Sequence, residues 1–133
     1  MIVAHEASAP SIQTPEPNRR TLAVLLSPLL QPQCSGVAAG LTIVPPGGQS
    51  DEHAHIEGEL FYVVEGQGVI KNGNERLPLP AGTAVWCPPH DPHQLINDRQ
   101  SVLKVLWVLV PPGRESGILE SAGRIHERKG ARA

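Results

Sequence analysis

The chain is a succession of short apolar runs cut by turn residues. The runs fall at residues 22–26, 37–44, 60–64, 69–71, 75–79, 84–87, 93–96 and 102–110. Most are too short for a globular helix and several are rich in β-branched residues, so they predict strands. Pro45-Pro46-Gly47-Gly48 stops one run. Asn72-Gly73-Asn74 lies between two others and is a strong hairpin signal. The only helix predicted is a short one around residues 117–125. This pattern predicts an all-β sandwich or barrel. Residues 1–20, polar and carrying Pro10, Pro15 and Pro17, predict an N-terminal arm over the surface. Residues 21–113 form the β domain, and residues 114–133 a short charged C-terminal tail.

The run 102–110 has a pattern of its own. Leu103, Val105, Trp107 and Leu109 share one parity; Leu106, Val108 and Val110 share the other, and only Lys104 is polar. Side chains alternate along a strand, so this one is predicted to be buried on both faces. One face lines the interior. The other needs a cover, either the arm or a second copy of the chain, and a homodimer is the favoured expectation.

Composition narrows the classes. At 133 residues the chain is one domain, and 11 Lys+Arg against 13 Asp+Glu leave a net charge of −2. Such a balance gives no nucleic-acid footprint. No apolar run approaches the ~18 residues expected of a membrane span. The opening MIVAHEASAP has no basic segment followed by a long apolar one, so it does not read as a secretion signal. Cys34 and Cys87 have neither metal-type nor redox spacing and read as buried reduced thiols, the pattern of a cytoplasmic protein.

The chemistry is concentrated in one region. His53 and His55 are two apart, Glu59 follows, and His93 lies beyond a turn-rich stretch; four of the six histidines fall between 53 and 93. Three imidazoles and a carboxylate are a ligand set for a divalent first-row metal. His53, His55, Glu59 and Phe61 share parity, so a continuous strand would aim all of them at one interior. His5 and His126 read as surface residues.

Two segments carry a family likeness. Gly47-x5-His53-x-His55-x3-Glu59-x6-Gly66 and Gly82-x5-Pro88-x-His90-x2-His93-x3-Asn97 resemble the paired motifs of the cupin superfamily. Nine of the ten fixed positions match, with His90 standing where the pattern has Gly. The resemblance implies a double-stranded β-helix, or jelly-roll barrel. It also implies one divalent transition metal per chain (Fe, Mn, Ni, Cu or Zn) held by His53, His55, Glu59 and His93. Glu59 is there either the fourth ligand or a catalytic base. His90 is expected at a turn with positive φ, facing solvent; the alternative is an acid/base or supporting group beside the site. Glu57 is expected at the rim.

Parity places Phe61, Val63, Leu95, Trp107 and Trp86 on the inward face, and no Lys or Arg. The expected substrate is therefore a small apolar or aromatic molecule offering one or two oxygens to the metal. The leading expectation is a metal-dependent enzyme of dioxygenase type. The first alternative is a metal-dependent cyclase or isomerase. Arg19-Arg20-Thr21, Leu25-Leu26-Ser27-Pro28 and Cys34-Ser35-Gly36 resemble the opening of cupin-type aromatic polyketide cyclases. The remaining alternative is a non-catalytic, metal-dependent binder.

Overall fold

The computed structural model describes residues 1–125. Its strands are β1 (Ser11–Thr14), β2 (Arg20–Leu26), β3 (Ala38–Val44), β4 (Gly58–Glu65), β5 (Gln67–Asn72), β6 (Glu75–Pro80), β7 (Ala84–Cys87), β8 (Gln94–Ile96) and β9 (Leu103–Val110). One short helix, α1 (Ser116–Ser121), follows. The strands form a six-stranded sheet in the order β1-β2-β3-β9-β4-β7 and a three-stranded sheet in the order β6-β5-β8. All pairings are antiparallel. The expected hairpin joins β5 to β6, with Asn72 opposite Glu75 and Gly73 at φ 59°. The two sheets close a jelly-roll barrel, the all-β fold expected from the sequence.

The barrel core follows from strand alternation. Leu103, Val105, Trp107 and Leu109 of β9 are all buried and point inward. They meet Phe61 and Val63 of β4, Ile70 of β5, Leu79 of β6 and Leu95 of β8. Each such side chain contributes about 1.5–3 kcal/mol when fully buried. The opposite face of β9 is covered only in part. Lys104 Nζ donates to Glu6 Oε1 at 2.7 Å, which brings the N-terminal segment across this face.

Segments from both terminal regions, β1 and α1, pack against the barrel. Within the N-terminal arm, β1 pairs with β2 from Ser11↔Ala23 to Thr14↔Arg20 and becomes an edge strand. In the tail, α1 packs on β1 and β2, with Leu119 fully buried. Just before it, Glu115 accepts from Ser27 Oγ and from the Gly113 N–H, each at 2.6 Å. The first of these bonds ties the start of α1 to the end of β2. His126 lies outside the described residues.

The segment before β4 departs from the expected continuous strand. Residues 54–57 are not strand, and β4 begins only at Gly58. Residues 47–53 instead run beside β8. Gly47 N–H donates to the Asn97 carbonyl at 3.1 Å and Ser50 N–H to the Leu95 carbonyl at 2.8 Å. The chain then crosses between the two sheets. Parity therefore does not relate His53 and His55 to Glu59; the crossover does.

Gly40 on β3 lies against the indole of Trp107. A Cβ there would overlap both the Ala23 carbonyl oxygen and the indole ring. Gly40→Ala should destabilise the fold by about 1–3 kcal/mol, in the range of overpacked cores. It should also move the tryptophan emission, because Trp107 must shift. Thermal unfolding with unchanged midpoint and emission would show that β3 yields freely at this point.

Candidate metal centre

His53 and His93 are brought together by the backbone. They form an antiparallel bridge in which His53 N–H donates to the His93 carbonyl at 3.1 Å and His93 N–H returns a bond at 2.9 Å. Their ring centroids are 4.5 Å apart. The loop to β4 carries His55, whose carbonyl accepts from the His90 N–H at 2.7 Å. Glu59, the second residue of β4, enters from the larger sheet.

Each imidazole is aimed by a carbonyl two residues away. His53 Nδ1 bonds the Asp51 carbonyl, His55 Nδ1 that of Glu57 and His93 Nδ1 that of Asp91, each at 2.9 Å. A carbonyl only accepts, so every Nδ1 carries its proton and every Nε2 turns to the centre. Glu59 Oε1 lies 3.0 Å from His55 Nε2 and 3.2 Å from His93 Nε2. One ligand atom from each of His53, His55, Glu59 and His93 falls within 4.8 Å of the others. Three imidazole nitrogens and one carboxylate oxygen, converging and nearly shielded from solvent, suit a single divalent transition metal.

Electrostatics prepare the set. Burial, with the neighbouring charges of His93 and Arg114, pushes His53 down to about 4, so its imidazole is neutral near pH 7. Burial raises the Glu59 carboxyl, but bonds from His55 and His93 outweigh it and hold the group below the usual carboxylate value. Burial also lowers His93; Cys87, Glu59 and the Asp91 carbonyl overcome this and push it up to about 10. In the metal-free protein a proton therefore sits between His93 and Glu59.

A cavity of about 370 Å³ opens beside the centre, lined by His53, Glu59 and His93. Phe61, Leu95 and Trp107 line it as expected. Val63 is buried in the core and is not part of its wall. Trp86 does not face inward: it is 54 % exposed, and its ring covers Gly58 on the outer side of the sheet. Here β7 pairs Trp86 with Leu60, the outward position of β4, so its parity is the reverse of the one expected.

The expectation of no cation in the wall also fails. Arg20 and Arg114 both line the cavity. Neither belongs to the motif strands; Arg20 opens β2 and Arg114 precedes α1, two elements that fold over one end of the barrel. Glu57 is not a rim residue but is buried behind His55, with Oε1 3.4 Å from its Nδ1. His90 has φ 68°, as expected of the turn. Its side chain is exposed and lies outside the cavity wall, so it supports the site through its backbone N–H. Asp51 was not foreseen; it links His53 to Arg20 through a 3.0 Å bond from Nη2. A signal for the carbonyl partners is present in Asp51-Glu52-His53 and Asp91-Pro92-His93, the same spacing twice.

A family model described as Cupin domain matches residues 40–109, more than half of the chain. The protein is a cupin. An uncharacterized protein of Methanocaldococcus jannaschii is 33% identical over 92 residues, covering 66% of this cupin and 74% of that relative. The crystal structure of a predicted oxalate decarboxylase from Thermotoga maritima is similar with a TM-score of 0.73 and 20% identity, over 84% of this chain and 100% of the other. The polyketide cyclase RemF from Streptomyces resistomycificus gives 0.72 and 19%, over 85% and 82%. At such identities the two structures establish the fold.

The protonation pattern predicts how a metal would bind. An ion entering the centre must displace the proton that His93 shares with Glu59. Metal affinity of this cupin should therefore rise with pH at all values below about 10. Near pH 7–8 binding should release about one proton per chain. Calorimetry in two buffers of different ionisation enthalpy reads this directly. Zero proton release would show that His93 is already neutral. His93→Ala should abolish binding at micromolar metal.

Proposed function

We propose that this cupin is a metal-dependent enzyme acting on a small organic molecule, with His53, His55, Glu59 and His93 holding one divalent ion. The observation that carries the reading is the convergence of three Nε2 atoms and Glu59 Oε1 at the wall of a mostly apolar cavity. A bound ion would supply Lewis acidity or, if redox-active, a centre for dioxygen chemistry. The chain's own part is orientation and proton transfer. Phe61, Leu95 and Trp107 exclude water and bury the substrate body. Glu59 is the fourth ligand through Oε1. Its other oxygen accepts no hydrogen bond among the described residues, so it is placed to take a substrate proton.

Dioxygenase-type chemistry is the leading form of this proposal. The second form is a cyclase or isomerase, which needs only Lewis acidity; the fold-level likeness to a polyketide cyclase favours it. Oxygen uptake across a panel of enols, catechols and ketones, with iron- and zinc-loaded protein, separates the two. Turnover that stops without oxygen is expected of the first. Turnover that continues anaerobically with zinc would move the assignment to the second. Glu59→Gln should lose at least about 100-fold in rate if Glu59 acts as the base, and should weaken metal binding as well, because it removes the charge of the fourth ligand.

We also propose a homodimer formed through the outer face of the larger sheet. Trp86, Leu60 and Val108 share one row across three strands; Tyr62 and Leu106 share the next. Trp86, Tyr62 and Val110 remain exposed. Sedimentation at micromolar concentration should report a dimer, and Trp86→Glu should shift it to the monomer. A wild-type monomer would exclude this face as an interface.

A further inference from the structure

Two guanidinium groups border the cavity, and only one of them, Arg20, has a carboxylate partner among the described residues. Arg20 is held in place: Nη2 donates to Asp51 Oδ1 at 3.0 Å and Nη1 to the Asn18 carbonyl at 2.8 Å. Its side chain is only 10% exposed. Arg114 lines the same cavity from the solvent side, and no carboxylate among the described residues pairs with it. Its charge reaches Arg20, where it disfavours a second positive charge.

The acids in the wall are already engaged. Glu59 faces His55 and His93. Both oxygens of Glu115 accept bonds, from Ser27 Oγ and the Gly113 N–H. Asp51 pairs with Arg20, so no carboxylate of the cavity wall is left for Arg114. Like charges gathered in a partly enclosed space are costly unless an anion joins them. A guanidinium fork matches a carboxylate in shape as well as in charge. The remaining wall is apolar: Ile12, Leu22 and Ile118 stand with Arg114, and Phe61 and Trp107 lie deeper.

We propose that the cavity takes a carboxylic acid with an apolar, ring-sized body, its carboxylate received by Arg114 and Arg20. A second oxygen of the same molecule reaches the centre at His53, Glu59 and His93; this part alone rests on the metal-dependent reading above. The cavity volume of about 370 Å³ sits near the lower end of ligand pockets, which bounds the body to about one or two rings. A bare dianion such as oxalate leaves the apolar wall unused.

Calorimetric titration of the full chain, metal-loaded and metal-free, with 2-hydroxybenzoate, its neutral amide and oxalate tests this. The acid should bind at least about tenfold more tightly than the amide, and more tightly than oxalate. Arg114→Met should bring acid and amide to within about threefold, with the affinity for the amide nearly unchanged; Arg114→Lys should restore part of the preference. Unchanged thermal unfolding and metal content in both variants show that the fold and the centre are intact. Equal affinity for acid and amide in the wild type, or an undiminished preference in Arg114→Met, overturns the proposal. Oxalate binding more tightly than the aromatic acid overturns the apolar body. A preference for the acid in protein that takes up no metal supports the carboxylate site and overturns only the metal-dependent reading.

Discussion

The centre depends on one pair of backbone hydrogen bonds, those exchanged by His53 and His93. They fasten an irregular segment to the edge of β8, and so bring two imidazoles from positions forty residues apart in sequence to adjacent places. A side chain on a free loop would have to lose its conformational freedom on meeting a ligand. Here the loss is met during folding. Asn97 extends the same seam: its Nδ2 donates to the Val44 carbonyl and to the Ser101 carbonyl, each at 2.8 Å. It is buried and ties the segment before the site, β8 and the approach to β9 together.

Orientation follows from that seam rather than from side-chain packing alone. Because residues 51 and 91 are fixed by the pairing, their carbonyls can fix the rings two residues further on. His55 is aimed by the following turn, where His90 donates its N–H and accepts a left-handed backbone in doing so. A left-handed residue other than glycine costs about 1–2 kcal/mol, and here it is spent at the site's margin. The result is a neutral His53, an ionised Glu59 and a protonated His93 in the metal-free protein, a charge pattern that an arriving cation rearranges.

The sequence made the barrel legible because each strand alternates and each turn is punctuated. β9 and the β5–β6 hairpin lie where periodicity and Asn72-Gly73-Asn74 place them. The four candidate ligands were legible through motif spacing, and they do converge. Strand parity accounts for only part of that convergence. Parity explains adjacent residues on one strand, and the chain between His55 and Glu59 changes sheets. Trp86 was misplaced for a related reason: parity must be counted from a known partner, and only the pairing with Leu60 supplies one. Arg20 and Arg114 were illegible, since nothing local says that the start of β2 and the turn before α1 border the same cavity.

This division has a chemical meaning. The ligands come from the motif segments, where backbone pairing over-determines their positions. The cations and much of the outer apolar wall come from β1, β2, the turn before α1 and α1 itself, elements outside the motifs. A change in the terminal elements can replace Arg114 or Ile118 without touching a single bond of the His53–His93 seam. The reverse does not hold, because moving the seam moves two of the three rings at once. The outer wall of the cavity and the four-residue centre are thus built by different elements. One scaffold can then hold one centre against many different walls. In this chain that wall brings two guanidiniums, Arg20 and Arg114, to the cavity beside the four converging side chains.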